Sequence, residues 1–310
     1  MAYLYFSKVN LNEGIYEAYQ NENIVIDKLN YLYHNLSYSK EIFLDEEVYI
    51  TNDLGKTEKK EIKRKYSFGT IYLKENKKIL GTLIKHSKIT QNEKQKDGQV
   101  KEHLLNNDIP VTFIFDIDLE IITFIRRKGF GYAQFNEAFE KIINTTLKQD
   151  NFKIILLKNK SLAKEKIKTF IKINEIKSTF IPHNRNRDSF KALYGRKSDK
   201  LQSANAIKII EIIEGGENGL NPESELIDDA ITISAIGYGN VEVIGEDENG
   251  NKKVFSDNQK TPYIQFIPES IKKNLEKFWN YITKNKFINI AYDEKEKIRD
   301  EFIEKNSQEE

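Results

Sequence analysis

The sequence predicts an α+β protein with mixed or antiparallel sheets, flanking helices and two subdomains. Three observations carry this. Short runs rich in β-branched and aromatic residues recur through the chain. Two segments, 23–36 and 132–148, place their apolar residues at helical spacing. Two hairpin signals stand out, the turn at Asp116–Leu119 and the pair Asn249-Gly250. With 310 residues, the chain is long enough for two parts of about 150 each.

Taken in order, residues 2–10 read as an aromatic strand and 23–36 as a helix carrying Ile24, Leu29, Leu32, Tyr33 and Leu36. Strands follow at 41–50, 66–73 and 79–86. The Lys/Glu run at 55–65 reads as a solvated hairpin tip, and the polar stretch 90–101 as a loop. Residues 111–125 form a hairpin. Residues 132–148, with Phe135, Phe139, Ile142, Ile143 and Leu147, form an amphipathic helix. A buried strand at 152–158, a basic helix at 161–172 and a strand at 176–182 close the first domain, residues 1–182. The polar, basic stretch 183–200 reads as a linker or loop, and 201–310 as an acidic second domain. Within it, 204–213 is a strand. Asn221-Pro222-Glu223 starts a helix that stops at Gly237. Strands at 240–245 and 252–256 flank a glycine turn, and Pro268-Glu269 opens a further helix. The tail from 292 is charged, helical at best.

Composition excludes several function classes. The chain has no cysteine, which removes disulfides, thiolate metal sites and cysteine nucleophiles and fits a reducing, cytoplasmic compartment. Its start has neither a basic region nor a long apolar stretch, so no secretory leader is expected there. No apolar run reaches the roughly 18 residues of a membrane span. The four histidines are scattered, and no cofactor or metal site is expected from their spacing. No Gly-x-Ser-x-Gly elbow or Walker loop is present.

Charge is the informative feature. The net charge of +1 conceals −2 over residues 1–120, +12 over 121–200 and −9 over 201–310. A basic middle suits phosphate, and it equally suits pairing with the acidic end. Within the middle, Arg126-Arg127-Lys128-Gly129-Phe130-Gly131 sets three cations ahead of two glycines at a helix start. This is a phosphate-contact candidate with Phe130 available for stacking on a base. Residues 128–135 resemble the ribonucleoprotein octapeptide of RNA-recognition motifs at seven of eight positions, Ala133 being the departure. That family's preceding strand–helix–strand order is not found upstream. The segment therefore reads as a glycine-hinged loop leading into a helix. A second cluster, His183, Arg185, Arg187, Arg196 and Lys197, is the other phosphate-contact candidate. His183 could also serve metal-free RNA cleavage. Asp116 and Asp118 could hold Mg²⁺ for phosphoryl transfer, or simply serve their turn.

The aromatic first strand, the Phe113-to-Asp118 hairpin, Gly219-Leu220, the Glu225-to-Ala230 helix and Gly237-Tyr-Gly239 together resemble uncharacterised bacterial proteins encoded in phage-defence loci. That resemblance implies a defence role and carries no catalytic residues with it. The leading expectation is a nucleic-acid-binding, non-catalytic component, with a protein partner or homo-oligomer possible. The alternatives are a nuclease or toxin, or an interaction subunit or DNA mimic using the acidic half.

Overall fold

A computed structural model describes residues 1–21, 23–37, 40–51, 57–94, 100–149, 151–183, 187–195 and 197–307. The chain opens with strand β1 (Ala2–Leu11), a helical turn α1 (Ile15–Ala18) and helix α2 (Asn23–Asn35). Strands β2 (Glu41–Thr51), β3 (Thr57–Glu75) and β4 (Lys78–Lys85) follow as a meander. Strands β5 (Lys88–Lys94) and β6 (Val100–Asn106) pair as a two-stranded ribbon. Strands β7 (Ile109–Asp116) and β8 (Ile121–Ile125) form the expected hairpin, which leads into α3 (Tyr132–Leu147). Then come β9 (Phe152–Leu156), α4 (Lys160–Lys168), β10 (Lys172–Phe180), α5 (Arg187–Tyr194) and α6 (Lys197–Ser203). The last third holds β11 (Ile209–Glu214), α7 (Glu225–Ala235), β12 (Gly239–Glu246), β13 (Lys252–Ser256) and α8 (Asp257–Lys260). It closes with β14 (Ile264–Ile267), α9 (Leu275–Lys284) and α10 (Phe287–Ser307).

Among the described residues these strands make an eight-stranded sheet, a four-stranded sheet and the β5–β6 ribbon. The large sheet runs β14-β1-β8-β7-β4-β3-β2, with β9 sharing the β14 edge of β1. The small sheet runs β11-β10-β12-β13. The recorded pairings are antiparallel, so the α+β class holds. Helical periodicity puts Phe135, Phe139, Ile142 and Ile143 of α3 on one face, where they pack on the large sheet. Phe135 stacks on Phe124 at 3.9 Å and Phe139 meets Phe113 edge-on at 4.9 Å. The other face of the sheet takes Phe278, Trp279 and Ile282 of α9 with Ile288 and Ala291 of α10. With both faces covered, β1 is buried almost throughout, and its polar residues find partners. Ser7 donates to Asn136, Lys8 pairs with Glu120 at 2.8 Å, and Asn10 donates to Gly237 O. No helix of the described residues is long and apolar enough to cross a membrane.

The structure corrects four expectations and sharpens a fifth, that of a tail helical at best. The run read as a hairpin tip at 55–65 is strand from Thr57 onward. Cross-strand ion pairs, Lys59–Glu47 at 2.5 Å and Lys65–Glu41 at 2.7 Å, do there what apolar alternation does elsewhere. The loop expected at 90–101 is the β5–β6 ribbon, save residues 95–99, which lie outside the description. The linker expected at 183–200 contains α5 and the start of α6, because Phe190, Leu193 and Tyr194 sit at helical spacing beneath a polar surface. The charged tail is the 21-residue α10, whose Ile288, Ala291, Lys295 and Phe302 keep one buried stripe. Finally, a boundary at 183–200 does not separate the sheets. β10 lies before it and β11–β13 after it, while β14 and α9 return from the last third to the large sheet.

Candidate nucleic-acid interface

After β8, the chain makes one tight turn before α3. Phe130 N–H donates to Arg127 O at 3.1 Å, and Gly129 sits at φ +83°. A residue with φ above zero at the third position of such a turn favours glycine. A Cβ there would also meet the Ile109 side chain at 3.0 Å. The turn lifts Arg126 and Lys128 into solvent, leaves Arg127 half-buried and drives Phe130 inward. Helix α3 then begins at Gly131, whose N–H donates to Gln134 Oε1 at 3.3 Å. The positive end of the helix dipole thus lies under the three cations. Below the turn, Glu46 gathers Lys85 at 3.0 Å, Arg64 at 3.4 Å, Gln134 Nε2 at 3.2 Å and the Tyr66 hydroxyl. No carboxylate among the described residues pairs with Arg126, Arg127 or Lys128.

Two of the sequence candidates are corrected by burial. Phe130 is 1% exposed, packed between Tyr66 at 5.5 Å and Phe135 at 6.1 Å, so it anchors the turn in the core and offers no face to a base. The half-buried aromatic of the segment is Tyr132, stacked on Tyr5 at 5.6 Å; burial pushes its phenol above the ordinary value and Arg126 pulls it back. His183 is also 1% exposed. Its ring lies 4.4 Å from Tyr238 and its carbonyl accepts from the Tyr19 hydroxyl at 2.6 Å. An imidazole enclosed in this way cannot meet a phosphate or a 2′-hydroxyl without the site opening.

Among the described residues, the remaining candidates do not join the loop. Arg187 opens α5 and Lys197 opens α6, while Arg185 and Arg196 lie outside the described residues. His183 touches α1, which follows the end of β1 that pairs with the start of β9. Asn144, near the C-terminal end of α3, holds that same start of β9 through Phe152. The Arg126–Lys128 turn is at the opposite end of α3. A 16-residue helix, about 24 Å long, therefore separates the turn from His183.

The carboxylates at the β7–β8 turn serve that turn. Asp116 is buried; its Oδ1 accepts from Leu119 N–H at 3.1 Å and its Oδ2 meets Lys78 at 2.7 Å. Asp118 pairs with Lys77 at 3.1 Å. No group of three or more His, Asp or Glu side chains among the described residues stands where it could hold a metal ion.

Part of the remaining basic middle is matched to the acidic end. On α4, Lys160 and Lys164 both pair with Asp228, the former at 3.6 Å, and Lys168 pairs with Glu223 at 2.7 Å. The sequence reading missed a buried polar cluster where the two sheets meet. Lys158 donates to Gly239 O at 2.5 Å and to Asn240 Oδ1 at 2.8 Å, with Asp257 at 4.0 Å. Ser234 donates to Asp257 at 2.5 Å, and Lys295 donates to Lys158 O at 2.8 Å. Burial pushes the Lys158 amine below its ordinary value and Lys295 down to about 8, Glu294 opposing the latter shift. The only trace of this in the sequence is a lysine directly after the apolar run 154–157.

An α+β chain whose two larger sheets are antiparallel, carrying at the head of α3 a basic turn with no carboxylate partner among the described residues, is the class these features define. The chain belongs to the DUF4747 family, a domain of unknown function, whose family model matches residues 25–284. No curated protein matches the chain.

Proposed function

We propose that this protein binds nucleic acid through phosphates at the Arg126–Lys128 turn, as a cytoplasmic component of a bacterial anti-phage defence system. The observation that carries the binding reading is the contrast in pairing. Three consecutive cations have no carboxylate partner among the described residues, whereas Lys160, Lys164 and Lys168 on α4 do. The helix N-terminus beneath the turn favours an anion further. The defence role rests on the likeness to bacterial proteins of phage-defence loci, and the compartment on the absence of cysteine.

The test is fluorescence anisotropy with labelled single- and double-stranded DNA and RNA, with and without Mg²⁺. Expected are binding that weakens as salt rises and labelled strands that stay intact. An Arg126→Ala/Arg127→Ala/Lys128→Ala variant that binds as tightly as the parent would end this reading. Strands cut in Mg²⁺, with cutting lost in an Asp116→Asn/Asp118→Asn variant, would replace it with a nuclease.

A further inference from the structure

The two edges of the small sheet are built differently. β13 carries Lys252 and Lys253, and the Lys253 amine folds back onto Thr169 O at 3.0 Å, its hydroxyl at 2.7 Å and the Phe170 ring at 4.7 Å. Charged residues of this kind blunt an edge against pairing. β11 at the other edge reads Ile209-Ile210-Glu211-Ile212-Ile213-Glu214, with no lysine and no proline. Ile210 and Ile212 are 49% and 56% exposed on its outer face. Ile209 and Ile213, on the inner face, are only half-buried. Among the described residues β10 is the strand that pairs with β11.

The backbone of that edge is oriented for a partner strand. Gly215 N–H donates to Asn174 O at 2.8 Å, so the odd-numbered residues of β11 address β10. In an antiparallel ladder the alternate residues then turn their N–H and C=O groups outward, here Ile210 and Ile212.

We propose that β11 pairs antiparallel with β11 of a second copy, joining two four-stranded sheets into one of eight strands across a two-fold axis. Charge selects the register. Centring the axis on Glu211 sets Ile210 of each copy opposite Ile212 of the other and Lys208 opposite Glu214 at both ends. Lys208 and Glu214 are exposed and hold no ion pair among the described residues. Sliding the register by two residues in either direction keeps the same faces together but loses both ion pairs. The chosen register also places the two Glu211 residues opposite each other, a like-charge contact that opposes the pairing. An isologous contact of this type closes on itself and stops at two copies.

The experiment is sedimentation equilibrium of the full chain. The parent runs as a dimer, and Ile210→Lys/Ile212→Lys runs as a monomer that still unfolds in one cooperative transition, at a melting temperature lower only by the lost association. Lys208→Glu, which makes both end pairs repulsive, raises the dimer dissociation constant about tenfold, and Lys208→Glu/Glu214→Lys restores it. Glu211→Gln tightens the dimer. A parent that is monomeric at every concentration reached, or a dimer that survives the double lysine variant, overturns the proposal. A charge swap that fails to restore pairing overturns the register.

Discussion

The Arg126–Lys128 turn and helix α4 are both strongly basic, lie within the same 80 residues, and end in different electrostatic states. Along α4, the acidic Glu223 and Asp228 arrive from the last third of the chain and take three lysines. At the turn no acid among the described residues pairs with the cations, and Glu46, which accepts from Gln134 in the first turn of α3, is already shared by Lys85 and Arg64. A segment's net charge is therefore a poor guide to a binding surface. What matters is which cations the fold leaves without partners, and among the described residues the three at the turn are such cations. Lys158 and Lys295 form a third state, cations enclosed by protein and held by carbonyls.

The largest effect should come from beneath the turn. Phe130→Ala removes a fully buried ring from between Tyr66 and Phe135 and should cost about 3–5 kcal/mol in stability, read from denaturant unfolding. A loss within the usual range of surface substitutions, about 0.5 kcal/mol or less, would mean that the turn is not anchored as described.

The buried cations come next. The Lys295 amine titrates near 8 in the folded chain and near its ordinary 10.5 when unfolded. Between these values the unfolded chain holds more protons, so this group favours folding increasingly as pH rises from 8 to 10.5. The parent should gain on the order of 1–3 kcal/mol over Lys295→Met across that window, measured by chemical unfolding at several pH values. Parallel stability curves for the two proteins would show that the amine is not desolvated.

The smallest effect probes the comparison itself. Asp228→Asn releases Lys160 and Lys164 from their shared carboxylate. If pairing is what silences α4, nucleic-acid affinity should rise a few-fold and the salt dependence should steepen by up to about two phosphate contacts. Unaltered binding would mean that α4 is silent for reasons of position.

Much of the fold was legible because its signals were strong and local. The period of Phe135, Phe139 and Ile142, the Asp116–Leu119 turn and Asn249-Gly250 each carry their own structure. What escaped was structure held by charge or by sparse apolar residues. The lysines and glutamates of β3 pair across strands, and α5 and α10 hide Phe190, Leu193 and Phe302 among charged neighbours. For the site, Arg126 and Lys128 could be placed outside by their type alone. The burial of Phe130 and His183 could not be read, because it depends on Tyr66, Tyr238 and Tyr19, all distant in sequence.

The central claim, that the proposed interface lies at the turn and not along α4, is tested most directly by salt-dependent binding of two triple variants. The logarithm of the association constant is measured against the logarithm of salt concentration for the parent, for Arg126→Ala/Arg127→Ala/Lys128→Ala and for Lys160→Ala/Lys164→Ala/Lys168→Ala. The turn variant should weaken binding at low salt and flatten the slope by about three phosphate contacts, while the α4 variant keeps the parent's slope. The reverse pattern, a flattened slope for α4 and none for the turn, would contradict it.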